Sequence, residues 1–226
     1  MNDQERVAAL LQSALASADM LEMKMLGDQA RLLRRNLSAA AGALASGTPH
    51  QPPRTARSLV SVLFVDVVGS TELAARLGDR AWRELLARFY LEVRRSLATF
   101  EGEEVSNPGD GFLTVFSTSL AAINAARQIV IAVHALGLRI RAGVHVGECE
   151  WIGHQAVGIT VHIGARIASV AEPDQVLVSA AVRDVLSGSG VNLEDMGHHL
   201  LKGVPGEWQL FRLAAANAST PSHPTD

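Results

Sequence analysis

Residues 58–72 read SLVSVLFVDVVGSTE, and their pairing with residues 104–116, EVSNPGDGFLTVF, decides the fold. In the first stretch an apolar run, Leu59–Val67, carries Asp66 near its end and passes through Val68 into a small-residue turn, Gly69-Ser70-Thr71, that opens a helix. It reads as a buried strand. In the second stretch two short strand-like runs flank Asp110 in a Gly-Asp-Gly tip, the composition of a hairpin turn. Set side by side as neighbouring strands, these segments bring two carboxylates to one sheet end, beside a helix N-terminus whose first N–H groups lack intrahelical partners. Such a combination suits a divalent cation and a polyphosphate.

Outward from that pair, Thr71–Phe100 carries Leu73, Leu77, Leu85, Phe89 and Val93 at helical intervals, and Thr118–Leu136 is a second amphipathic helix on Ile123, Ala126, Val130 and Val133. Leu138–Val146 alternates like a strand. Ile159–Val170 is helical: Ile159, Ile163, Ile167 and Val170 form an apolar stripe, while His162 and Arg166 stand one turn apart on another face. Gln175–Ser179 is a strand, Ala180–Leu186 a short helix, and Leu193–Leu213 a closing β segment that turns at Lys202-Gly203-Val204-Pro205-Gly206. The order β-α-β-β-α-β with additions predicts an α+β fold, a ferredoxin-like antiparallel sheet covered by helices on one face.

Residues 58–213 form the expected compact domain. Before it, residues 1–44 are Ala/Leu-rich, with Val7, Leu11, Ala14, Ala18, Leu21 and Met25 at alternating four-three spacing and a break at Gly27-Asp28. This helical segment either packs on its own domain or dimerises as a coiled coil. Residues 45–57 hold three prolines and form a linker, and residues 214–226 read as a disordered tail.

Across 226 residues, 48% hydrophobic and 19% charged content suits a soluble globular protein. No segment reaches the ~18 uninterrupted apolar residues of a membrane span, and the first residues, MNDQERVAAL, do not read as a signal peptide. The single cysteine, Cys149, excludes an internal disulfide and a Cys/His zinc spacing. A cytoplasmic location is the expectation. With a net charge of −3 there is no global basic footprint for nucleic acid, so phosphate binding needs a local site.

Taken alone, Asp66 and Asp110 have structural explanations, a solvated strand end and a hairpin turn. Together, facing the Gly69-Ser70-Thr71 turn, they are better explained as ligands for Mg²⁺ or Mn²⁺ holding a nucleoside triphosphate. Two such ions about 4 Å apart would activate an attacking hydroxyl and neutralise a leaving phosphate. No Walker-type Gly-rich loop is present. His198 and His199 are adjacent on a strand and so point to opposite faces, Cys149 is a packed or partly exposed thiol, and Arg94-Arg95 is a solvated helix face.

Five ordered motifs, FVDVVGSTELAARLGD, GDGF, RAGVHVGE, VHIGARI and HLLKGVPGEW, together resemble the class III adenylate/guanylate cyclase catalytic domain from about Leu59 to Leu213. The resemblance implies an enzyme that closes a nucleoside triphosphate to a 3′,5′-cyclic nucleotide with release of pyrophosphate, using two Mg²⁺ or Mn²⁺ ions per site. It places Asp66 and Asp110 on the two metal-binding aspartates, with the Val67 carbonyl as a further metal contact. Gly69, Ser70 and Thr71 would wrap the phosphates, Arg166 would steady charge on the α-phosphate, and Lys202 would grip the terminal phosphates. Metal ligands come from one subunit and the arginine and lysine from its partner, which implies a homodimer with shared sites.

Three positions depart from the family pattern. Ser106 stands where adenylate-forming members have a lysine, and Gln155 where an aspartate completes the reading of adenine. His162 stands where many members have an asparagine that orients the ribose, a role a histidine donor also fills. With both purine readers absent, the reading is a pyrimidine cyclase making cyclic UMP or cyclic CMP, of the kind that serves bacterial antiviral signalling through a separate effector protein. The Gln155 amide offers both donor and acceptor to such a base. The alternatives are an adenylate cyclase with relaxed base recognition and an inactive cyclase-like module that dimerises or binds nucleotide.

Overall fold

From β1 (Arg57–Val67) the sheet grows in both directions, and this strand supplies the geometry of everything near Asp66. The computed structural model describes residues 57–214. The expected N-terminal helical segment, nearly all of the linker and the C-terminal tail lie outside the described residues. After β1 come α1 (Ser70–Leu77), α2 (Asp79–Thr99), β2 (Glu103–Ser106), β3 (Gly111–Phe116), α3 (Ser119–His134), β4 (Ile140–Ile152) and β5 (Gln155–Val157). They are followed by α4 (Ile159–Val170), β6 (Val176–Ser179), α5 (Ala180–Val185), β7 (Leu193–Leu200) and β8 (Glu207–Leu213). Among the described residues no helix is long and apolar enough to cross a membrane.

The strands form one sheet in the order β2-β3-β1-β4-β6-β8-β7, with β5 hydrogen-bonded to β4 alone. Each of its first four strands is antiparallel to its neighbour, which with α2 and α3 as crossovers is the ferredoxin-like β-α-β-β-α-β unit. Beyond that unit β6 runs parallel to β4, Gly143 opposite Leu177, because α4 carries the chain back across the sheet.

Helices cover both faces, not one. Leu63, Val65 and Val67 of β1 pack with Phe89 and Val93 of α2 and Ile123, Ala126 and Ile129 of α3. The alternate residues Val60, Val62 and Phe64 point the other way and meet Val161 of α4 with Leu113, Val115, Cys149 and Ala156. The apolar run of β1 is therefore continuous for the reason buried strands are, two packed faces rather than one. A third cluster joins Ile163 and Ile167 of α4 to Leu177, Leu201 and Leu210.

Close approach of α4 to the sheet depends on two glycines. A methyl group at Gly143 of β4 would lie 2.2 Å from the Ala168 nitrogen, and one at Gly164 of α4 would lie 2.7 Å from a Val62 methyl carbon. Residues at both positions are held to hydrogen for side chains so that helix and strand backbones can touch.

Local boundaries differ from expectation where glycine or register intervenes. The single helix expected over Thr71–Phe100 divides at Gly78, whose backbone (φ 77°) ends α1 and caps α2. The strand expected over Leu138–Val146 runs on to Ile152 and folds back as a hairpin, with Gly153 at φ 63° in the turn and Ile152 paired to Gln155.

Candidate active site

Asp66 and Asp110 come together because of strand register. β1 and β3 are antiparallel with Asp66 opposite Gly111, so Asp110 sits one step beyond, on the hairpin tip beside the same sheet end. The Asp110 carbonyl accepts a hydrogen bond from the Val67 N–H at 3.1 Å, and the Val68 N–H donates to the Arg139 carbonyl at 2.9 Å. These two bonds tie the end of β1 to both neighbouring chain segments. The turn then enters α1 through Gly69, in the left-handed region (φ 65°, ψ 28°), and no side chain caps the helix. Gly69, Ser70 and Thr71 thus lie at an uncapped helix start directly after Asp66 and Val67.

A third charged group, which the sequence reading passed over, completes this corner. Arg141 lies opposite Asp66 on β4 and donates to its Oδ2 from Nε at 2.9 Å and from Nη2 at 2.7 Å. Burial nonetheless pushes the Asp66 carboxyl above its ordinary range, because desolvation outweighs the Arg141 hydrogen bond and charge, and the nearby Asp110 charge pushes the same way. The available signal was alternation: in RAGVHVGE, Arg141 and Gly143 point to the face on which Asp66 lies.

A hard divalent cation fits this corner. The Asp66 and Asp110 carboxylates could supply hard oxygen donors, the Asp66 carboxyl is held in a partly desolvated place beside another acid, and a guanidinium stands there as the compensating positive charge. Among the described residues no set of three or more His, Cys, Asp or Glu side chains converges as a self-sufficient metal cage. Remaining positions around such a cation would fall to water and phosphate oxygens, the usual arrangement for Mg²⁺ bound through one or two carboxylates.

The other candidates sit on the α4 side of the sheet. His162 and Arg166 are exposed on α4, while Ile163, Gly164 and Ile167 face the core. The expected apolar stripe splits: Ile163 and Ile167 are buried, but Ile159 (58% exposed) and Val170 (38%) fall in with His162 and Arg166 at three- and four-residue spacing. Lys202 is exposed in the β7–β8 turn. That turn is anchored by Leu201 and Val204 in the same cluster as Ile163 and Ile167, and by the Trp208 indole donating to the Pro205 carbonyl at 3.1 Å. Trp208 in turn packs edge-on against the buried His145, whose Nδ1 lies 2.8 Å from the Ser179 hydroxyl. Burial pulls the His145 pKa down to about 4, so the ring is neutral at ordinary pH.

Ser106 and Gln155 are half-buried, and their elements β2 and β5 lie against one another. Val105, Ala156 and Val161, the chain neighbours of Ser106, Gln155 and His162, all belong to one apolar cluster. The backbone at residues 106, 155 and 162 therefore borders that cluster, while side chains alternate along β2 and β5, so those of Ser106 and Gln155 point away from it. Among the described residues, no hydrogen bond or ion pair joins His162, Arg166 or Lys202 to Asp66 or Asp110; the charged partner of Asp66 is Arg141.

Comparison with known proteins agrees with this architecture. The profile of the family described as "Adenylate and Guanylate cyclase catalytic domain" matches residues 53–215. Among curated proteins, the putative adenylate cyclase 3 of Rhizobium meliloti is 25% identical over 157 residues, 66% of this chain and 27% of its own length. The receptor-type adenylate cyclase GRESAG 4.3 of Trypanosoma brucei brucei is 25% identical over 214 residues, 72% of this chain and 17% of its own length. The chain thus spans about a quarter or less of those relatives. Among solved structures, the adenylyl cyclase CyaB from P. aeruginosa superposes with a TM-score of 0.67 at 20% identity, covering 72% of this chain and 97% of that one. The guanylate cyclase domain of RhGC from Catenaria anguillulae, in complex with GTP, gives 0.65 at 20% identity, over 71% and 98% of the two chains.

Proposed function

The chain belongs to the adenylate and guanylate cyclase catalytic domain family, and from that premise we propose that it cyclises a nucleoside triphosphate to a 3′,5′-cyclic nucleotide and pyrophosphate. The observation that carries the reading is the Asp66–Asp110 pair at one sheet end, beside the uncapped start of α1. Asp66, Asp110 and the Val67 carbonyl would hold Mg²⁺ or Mn²⁺, which when bound supplies charge neutralisation for the phosphates and acidifies the attacking 3′-hydroxyl. Backbone N–H groups at Gly69, Ser70 and Thr71 orient the phosphates toward that corner. Arg166, a permanently charged planar donor, takes up charge on the α-phosphate as the ribose oxygen attacks, His162 orients the ribose, and Lys202 holds the departing pyrophosphate.

These cations belong to a second copy of the chain. Ile159 and Val170 leave apolar surface on the same face of α4 as His162 and Arg166, which suits a face covered by a partner subunit. Each homodimer would then hold two shared sites. The base is read by Ser106 and Gln155, uncharged groups that replace the purine-reading lysine and aspartate; they suit the donor-acceptor edge of uracil or cytosine, with cyclic UMP or cyclic CMP as a signal for a separate effector in antiviral defence. A second reading, an adenylate cyclase with relaxed base recognition, is favoured by relatives named as adenylate cyclases.

Purified full-length protein with Mn²⁺ and equal amounts of ATP, GTP, CTP and UTP is expected to release pyrophosphate and a cyclic pyrimidine nucleotide, identified by mass. Mainly cyclic AMP would overturn the pyrimidine reading and leave the cyclase; no turnover by a confirmed dimer would overturn both. Mixing inactive Asp66→Ala and Arg166→Ala chains is expected to restore activity in the heterodimer.

A further inference from the structure

Asp110 lies on an irregular tip, Asn107-Pro108-Gly109-Asp110, between β2 and β3, and a metal ligand on such a tip needs something to hold it. One side of Asp110 is held by its own carbonyl, bonded to the Val67 N–H. The other side is held from α2: the Tyr90 hydroxyl donates to the Gly109 carbonyl, on the peptide that leads into Asp110. Gly109 is in the left-handed region (φ 85°), so the orientation of that peptide is set by the bond and not by side-chain bulk.

Tyr90 is itself fixed. Its ring lies 5.5 Å from Phe112 and 5.9 Å from Phe89, both of the main core. The Arg94 guanidinium stands 5.7 Å above it and reaches Glu104 of β2 through two bonds of 2.8 and 3.0 Å. Arg94 is on the solvated helix face expected for it, 52% exposed, and from there ties α2 to the near strand of the hairpin while Tyr90 ties α2 to its tip. Tyr90 is the only tyrosine in the chain, and phenylalanine would satisfy every packing contact named here, so only the hydroxyl bond demands the phenol.

We propose that Tyr90 is a positioning residue for the metal site, holding the Gly109–Asp110 peptide so that the Asp110 carboxylate is presented beside Asp66. The proposal rests on the reading of the two aspartates as metal ligands. Tyr90→Phe keeps the ring and removes the bond, letting the tip sample orientations that turn Asp110 away.

The test is Mn²⁺ binding to full-length protein without nucleotide, followed by the electron paramagnetic resonance of free Mn²⁺, in wild type, Tyr90→Phe and Thr114→Val. Thr114, on β3 of the same hairpin but away from the tip, donates to the Leu63 carbonyl of β1, so its loss costs a similar bond without touching Asp110. Tyr90→Phe is expected to weaken Mn²⁺ binding about fivefold, the equivalent of one ordinary hydrogen bond, while Thr114→Val leaves it unchanged. In turnover, the same shift should appear in the Mn²⁺ concentration for half-maximal rate, with the rate at saturating Mn²⁺ recovered. Equal binding by Tyr90→Phe and wild type, or an equal loss in Thr114→Val, would overturn the positioning role alone. Absence of Mn²⁺ binding by wild type would overturn the metal reading and the positioning role with it.

Discussion

Replacing Arg141 with methionine should tighten Mn²⁺ binding to the nucleotide-free protein. Arg141 places Nε at 2.9 Å and Nη2 at 2.7 Å from the same oxygen of Asp66, so an arriving cation competes with a guanidinium for that oxygen and meets its charge. A charge-assisted hydrogen bond is worth about 1.5–3 kcal/mol when well shielded. Here the two side chains are 38% and 33% exposed, which screens the pair and reduces its worth to about 1–2 kcal/mol. Removing it should strengthen Mn²⁺ binding about five- to thirtyfold. The pH dependence follows from Asp66. Its carboxyl already titrates above the ordinary range because of burial, and Arg141 pulls it down; without Arg141 the proton holds more tightly. The gain in the variant is therefore full at pH 8 and shrinks as pH falls toward the Asp66 titration. Mn²⁺ titrations at pH 8 and at a series of lower pH values check both statements. Binding by Arg141→Met at pH 8 that is no tighter than wild type would refute the competition between guanidinium and metal.

Gly143→Ala should destabilise the domain by about 3 kcal/mol, the upper range for overpacking, because the new methyl would lie 2.2 Å from the Ala168 backbone nitrogen and α4 must move away; urea unfolding measures the loss, and turnover should fall with it as Arg166 rides on the same helix. His145, with its pKa lowered to about 4 by burial, refuses a proton that the unfolded chain accepts from about pH 6.5 downward. Native stability is therefore lost as pH falls between those values, by about 3 kcal/mol for this one residue, and His145→Gln should flatten that part of the urea-unfolding pH profile.

The parts of this protein that were legible in its sequence are those whose signal is local. An apolar run ending at Asp66 and a Gly-Asp-Gly tip can form little else than a strand and a hairpin, and register then puts the two acids together. Spacing marked Ile163 and Ile167 of α4 as buried, and His162 and Arg166 as lying elsewhere. What stayed hidden was relational. Periodicity says that a helix has a buried side, but not which face of the sheet it covers, so α4 was expected beside α2 and α3. Gly78 looks like a tolerated helix glycine until its left-handed backbone is seen to end α1. Arg141 and Asp66 are 75 positions apart and meet only through the β1–β4 register. Arg94 is solvated as its helix face suggests, but its pairing with Glu104 is visible only once β2 is placed beside α2.

On the proposed function, one chain would not turn over substrate by itself. Asp66 and Asp110 are held at their sheet end by the β1–β3 register and the Val67–Asp110 backbone bond, with Tyr90 bracing the tip. Arg166 is fixed as well, since Gly143 and Gly164 hold α4 in backbone contact with the sheet, and the Lys202 turn is anchored to α4 by Leu201 and Val204. The two groups of charges are carried by one sheet, and among the described residues Arg141 is the cation that pairs with Asp66. A rearrangement inside the chain that delivered Arg166 and Lys202 to the metal corner would have to unpack the α4 cluster. Docking a second copy requires no such cost, and the exposed Ile159 and Val170 beside Arg166 supply apolar area to bury in the process. Under the proposed function, sites shared between two chains would leave these buried contacts intact, and mixed Asp66→Ala and Arg166→Ala chains are expected to regain activity; no recovery in heterodimers shown to form would refute that arrangement.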